Sequence, residues 1–173
     1  MASPEPNTGS KSSFEIYRKG GSTAPIRLTV ALVLVARRWR ALIDERLRPL
    51  GQSSARMEAL SAIINSPDPN PQIEIANRLR IEGPTMTRMI DALSRDGLVE
   101  RQPAPSDRRT KYPSVTPEGE RALETIFEVT DELRSRLLDG LSPEEIDRFY
   151  SVLMLLLERL DAGLPDNGCS GAR

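Results

Sequence analysis

Apolar residues stand at Met86, Met89, Ile90 and Leu93, the i, i+3, i+4, i+7 spacing that lines one face of a helix. Pro84 suits the first turn of that helix and Gly97 its C-terminal cap. Similar stripes recur along the chain. A long helix is predicted from Pro25, with Ile26, Val30, Val33, Leu34, Trp39, Leu42, Ile43 and Leu47 on a wide apolar face, stopped by Pro49 and Gly51. A second runs from about Ser53 to Ile64, with Met57, Leu60, Ile63 and Ile64 inward. After the breaker "NSPDPNP", Asn70 can cap and Pro71 open a third helix, "QIEIANRLR", burying Ile75, Ala76 and Leu79. "IEG" then forms the turn before the Met86 helix. Beyond Gly97, "LVER" (98–101) and "TKYPSV" (110–115) read as two strands of a hairpin, with Pro113 marking an edge strand. Thr116 and Pro117 open a helix bearing Leu123, Ile126, Phe127, Leu133, Leu137 and Leu138. "SPEE" (142–145) is a capping box for a last helix holding Phe149, Val152, Leu153, Leu156 and Leu160. Residues 1–24 are rich in Ser, Gly, Pro, Thr and Lys and are expected to be mostly disordered. "FEIYR" (14–18) is set apart there as a segment able to dock on a partner surface.

The order helix, turn, helix, hairpin predicts a mainly α fold with a small β-wing, a winged helix-turn-helix. Its second helix would enter a DNA major groove. Opposite the Met86–Leu93 stripe lie Thr85, Thr87, Arg88, Asp91 and Arg95. Threonine hydroxyls reach phosphates or base edges, and a guanidinium can bond a guanine edge twice. The hairpin tip reads "SDRRTK", placing Arg108, Arg109 and Lys111 where an adjacent minor groove would run. Asp107 would hold a neighbouring arginine in one rotamer.

Composition narrows the alternatives. The 173-residue chain has no histidine, which excludes histidine-based general-base catalysis and metal ligation. Its one cysteine, Cys169, supports neither an internal disulfide nor a zinc cluster, so no metal and no cofactor are expected. No Gly-rich phosphate loop or paired nucleophile and base points to an enzyme. The longest apolar run, "VALVLVA" (30–36), is too short to span a bilayer, and "MASPEPNTGS" lacks the apolar core of a signal peptide, so a cytoplasmic protein is expected. The net charge of -1 conceals a division: residues 76–116 carry +3 and residues 117–161 carry -7. A basic middle can bind a polyanion even in a mildly acidic chain. A winged domain that binds proteins without specific DNA recognition is the competing reading.

"QIEIANRLRIEGPTMTRMIDALSRDGLVERQPAPSDRRTKYPSVTPEG" resembles the core of the MarR family of transcriptional regulators, closest to its SlyA-like branch. "VARRWRALIDERLRPLG" resembles the first helix of that branch, and the likeness extends over about residues 26–160. The resemblance implies a homodimer on a pseudo-palindromic double-stranded operator. A DNA-binding lobe at about 53–116 would sit between dimerisation helices at about 25–49 and 117–161, with a loose tail at 162–173. By resemblance, Arg88 is the recognition-helix arginine and Arg108 and Arg109 are the wing arginines, Arg109 the first choice for the minor groove. The resemblance also implies a repressor released by a small aromatic acid, phenol or aromatic acyl-CoA thioester. Arg37, Arg40, Met57 and Ser61 match the positions that would bind it. Pro113 and the proline-rich "SPDPNP" depart from the family pattern.

Overall fold

The computed structural model describes residues 13–66, 71–103 and 111–164. Seven helices and one hairpin follow in order: α1 (Ser13–Arg18), α2 (Ala24–Leu47), a 3-10 turn (Arg48–Leu50), α3 (Ser54–Ile64), α4 (Gln72–Leu79), α5 (Gly83–Arg95), β1 (Val99–Pro103), β2 (Lys111–Val115), α6 (Pro117–Leu137) and α7 (Pro143–Asp161). The chain divides into two units, Met1–Thr130 and Asp131–Arg173, with the boundary inside α6. The mainly helical fold with one antiparallel hairpin matches the expectation.

The element ends differ from the sequence pattern for identifiable reasons. Ser53 is the cap of α3 rather than its first residue; its side chain accepts from the Arg56 N–H at 3.3 Å. Pro71 likewise caps α4 instead of opening it, and Asn70 lies outside the described residues. The strands are shifted to 99–103 and 111–115. Residues 13–24 are not irregular throughout: Ser13–Arg18 form α1, and Ala24 starts α2.

The turn at "IEG" holds the largest departure. The left-handed residue there is Arg80, at φ 53°, while Gly83 is already helical. A non-glycine residue is uncommon in that region. Two bonds close the end of α4, from Ile81 N–H to the Ala76 carbonyl and from Arg80 N–H to the Asn77 carbonyl, both at 3.1 Å. Ile81 packs against the core, the apolar contact that accompanies this cap. Gly97 repeats the device at the end of α5, with φ 73° and buried Leu98 following.

The core of the first unit gathers Leu60 and Ile63 of α3, Ile75 and Ala76 of α4, and Met86, Ile90 and Leu93 of α5, closed by Leu98, Val99 and Leu123 of α6. Each fully buried aliphatic side chain contributes about 1.5–3 kcal/mol. Ile64, expected inward, is exposed; Ala59 and Ala62 are buried instead, because α3 turns its small residues toward its neighbours. Only the last turns of α2 are covered, at Ile43 and Leu47. In α6, Leu123, Ile126 and Leu133 are buried while Phe127 and Leu137 are not, nor is Leu138 just beyond its end. Most apolar residues of α7 are exposed, Phe149 at 63% and Leu160 at 64%, while Ile146 and Leu156 are half-buried.

Candidate nucleic-acid interface

Helix α5 is amphipathic in the sense the sequence predicts. Met86, Ile90 and Leu93 are buried, Met89 is half-buried against the core, and Thr85, Arg88, Asp91 and Arg95 are exposed. Helix α4 packs on α5 and on α3 in the order a helix-turn-helix requires. Arg78 of α4 bonds the Ser66 hydroxyl at 2.7 Å and the Asn65 carbonyl at 3.3 Å, which pins α4 to the end of α3. Arg56 of α3 bridges Asp96 at 2.7 Å and takes Gln52 Oε1 at 3.0 Å, fixing the far end of α5. The C-terminal end of α5 is therefore anchored to α3.

Thr87 differs from its expected place on the open face. It is half-buried, its hydroxyl donates to the Gly83 carbonyl at 3.1 Å, and it accepts from Gln72 Nε2 at 2.5 Å. Gln72 opens α4, so this contact joins the two helices of the motif. The hydroxyl is engaged on both sides within the helix pair. Thr85 and Arg88 remain on the outer face; the Arg88 Nε–H donates only to the Pro84 carbonyl, at 3.4 Å, among the described residues. Arg95 does the same with the Asp91 carbonyl.

The wing stands on α5 and α3. Strand β1 pairs antiparallel with β2 in the register Val99↔Val115, Arg101↔Pro113 and Pro103↔Lys111. Pro113 is accommodated within β2, and Tyr112 is buried with its hydroxyl 3.4 Å from Gln102 Oε1. At the wing's foot, the Thr116 hydroxyl donates to the Gly97 carbonyl at 2.7 Å and accepts from the Gly119 N–H at 3.0 Å. Thr116 thereby caps α6 as expected and welds it to the start of the wing. Lys111 begins β2; Arg108, Arg109 and Asp107 lie outside the described residues.

Strand β1 carries a residue that sequence reasoning missed. Arg101 forms an ion pair with Asp91 of α5. The available signal was the alternation of β1, which puts Arg101 on the same face as buried Val99. Nothing in the linear order, however, pairs a strand residue with an aspartate ten positions earlier.

The four residues matched to an effector site are spread over two helices. Arg37 and Arg40 are exposed on α2; Met57 and Ser61 are half-buried on α3. Arg40 reaches α3 through Glu58, at 3.0 Å. One turn further along α2, Asp44 Oδ1 accepts the Ser54 N–H at 2.7 Å. That backbone bond, joined by the Ser54 side chain and the charges of Arg40 and Arg48, holds the Asp44 carboxyl below the usual aspartate range.

Comparison with known proteins bears on the same segment. The model of the MarR family matches residues 53–111, from the cap of α3 to the first residue of β2. The chain is 32% identical to the transcriptional regulator PA3341 over 79% of this chain and 99% of that one, with a TM-score of 0.71. It is 27% identical to the apo form of wild-type MarR from E. coli, covering 75% of this chain and 96% of that one at a TM-score of 0.63. CouR from Rhodococcus jostii RHA1, solved bound to p-coumaroyl-CoA, shares the fold at 22% identity and a TM-score of 0.68, over 75% of this chain and 90% of that one. With a recognition helix anchored to α3, a wing seated on it and this kinship, the chain belongs to the MarR family of DNA-binding transcriptional regulators.

Proposed function

We propose that the chain is a homodimeric repressor of the SlyA-like branch that is released from a pseudo-palindromic operator by a small aromatic effector. The observation that carries the DNA-reading part is the outer face of α5, where Thr85 and Arg88 are exposed directly opposite fully buried Met86 and Ile90. A side chain free to reach a base edge, on a helix that cannot roll, is what direct readout needs. Arg88 would read base edges, and Thr85 would bond phosphate or base. Arg108, Arg109 and Lys111 of the wing would follow the neighbouring minor groove and its phosphates.

Dimerisation is supported by the exposed apolar residues of α2 and α7, which a monomer leaves in water. The lobe at about 53–116 would then read DNA while about 25–49 and 117–161 join the two copies. The effector would be an acid, phenol or acyl-CoA thioester with an aromatic ring. Arg37 and Arg40 would take its charge, with Met57 and Ser61 alongside; CouR, of the same fold, binds a thioester of that kind. Release requires only that the effector bind better to a conformation whose recognition helices no longer match successive grooves.

The test is fluorescence titration of a duplex from the promoter region of the chain's own gene, at low and moderate salt, against unrelated DNA. Arg88→Ala is expected to weaken operator binding by about 1–3 kcal/mol and relax base preference. Unchanged affinity and preference would remove Arg88 from this role. Arg37→Ala is expected to leave operator binding intact and raise the effector concentration needed for release; wild-type release would overturn the assignment of that site.

A further inference from the structure

Asp91 is an odd residue on a surface that meets phosphates. It lies on one stripe of α5 with Arg88 and Arg95, at i−3 and i+4 from it, and a carboxylate there both repels DNA and competes for those two cations. The Asp91–Arg95 spacing, acid before base by four positions, is the favourable order for an intrahelical pair. Yet the Asp91 carboxylate binds neither side chain. Its carboxylate pairs with Arg101 from the wing, while Arg88 and Arg95 bond only backbone carbonyls of their own helix among the described residues. Asp91 and Arg101 are both partly exposed, so the pair sits at the surface and not in the core.

We infer that Arg101 is a positioning and specificity residue for DNA recognition: by holding Asp91, it keeps the two arginines of the recognition helix free and fixes the wing's angle on that helix. Without Arg101 the Asp91 carboxylate turns to Arg95 or Arg88, and the helix loses the side chains that discriminate bases. The inference rests on the DNA-binding activity of this face. Its signature is non-additivity. An arginine that merely touched phosphate would weaken all DNA alike and would be indifferent to residue 91.

The experiment uses the full-length protein and the duplex it enriches most strongly from a random pool, with a scrambled duplex of the same composition. Arg101→Ala, Asp91→Asn and the double variant are compared, with thermal melting to confirm that each is folded. Arg101→Ala is expected to lower the ratio of selected to scrambled affinity by roughly tenfold. Adding Asp91→Asn is expected to restore that ratio to within about threefold of wild type, since no carboxylate remains to capture Arg88 or Arg95. Equal losses on both duplexes, a fall of about one in the salt slope and strict additivity with Asp91→Asn would overturn the inference and make Arg101 a phosphate contact. If the wild-type protein enriches no duplex, the DNA-reading role of α5 itself fails, an outcome visible before any variant is made.

Discussion

Gly119 has no room for a methyl group. A Cβ there would overlap the Leu98 carbonyl oxygen and lie 2.7 Å from Val115 Cγ1. The obstacle is backbone, which cannot swing aside as a flexible side chain would. Gly119→Ala is therefore expected to destabilise the fold by about 1–3 kcal/mol or more, read from urea unfolding. A variant as stable as wild type would mean that α6 can slide on the wing's foot. Ser94 presents the opposite case. Its Oγ is buried with no hydrogen-bond partner among the described residues. Removing a desolvated, unpaired hydroxyl costs nothing and relieves a penalty, so Ser94→Ala is expected to raise stability by up to about 1 kcal/mol. A clear drop in melting temperature would show that the hydroxyl finds a partner.

The ends of α3 and α7 show how elements are held by different means. For α3, the first-turn N–H groups are satisfied from two directions, by its own cap Ser53 and by Asp44 of α2. The folded state lowers the Asp44 pKa, so the unfolded chain binds that proton more readily. The contribution is then complete above the ordinary aspartate pKa and is lost as pH falls through the lower, folded value. Melting curves of wild type and Asp44→Ala are expected to differ most at neutral pH and to converge once pH falls below the lowered, folded Asp44 value. A gap that persisted unchanged in acid would assign the difference to packing. For α7, both bonds of the capping box are present, Ser142 with Glu145 N–H at 3.3 Å and Glu145 with Ser142 N–H at 2.8 Å. That box was legible in "SPEE" because its partners are three residues apart. The apolar stripe of α5, the cap at Thr116 and the order of the elements were legible for the same reason: each is written within one or two helical turns. The left-handed Arg80, the Gln72–Thr87 contact and the Arg101–Asp91 pair were not, because each depends on where a separate element comes to rest. The two contacts that join α2 to α3, Arg40–Glu58 and Asp44–Ser54, were likewise not legible, since their partners lie on separate helices.

For the whole molecule, the unmet demand is apolar. Helix α7 exposes Phe149, Tyr150, Val152, Leu153 and Leu157, and α2 exposes Leu28, Val33 and Leu34. Sedimentation equilibrium is expected to give twice the 19.2 kDa chain mass at micromolar concentration, and Leu153→Glu to shift it toward the monomer. A wild-type monomer at that concentration would leave operator symmetry without a physical basis. Among the described residues no helix is long and apolar enough to cross a membrane. The joint at Thr116 also limits how the gene can vary in length. The Thr116 hydroxyl is fixed to Gly97, and Leu123 and Ile126 are buried within the next three turns. One residue inserted after Gly119 would rotate the rest of α6 by roughly 100° and carry both out of the core. Codon insertions and deletions between Thr116 and Ile126 are thus expected to be purged, however mild the residue they add.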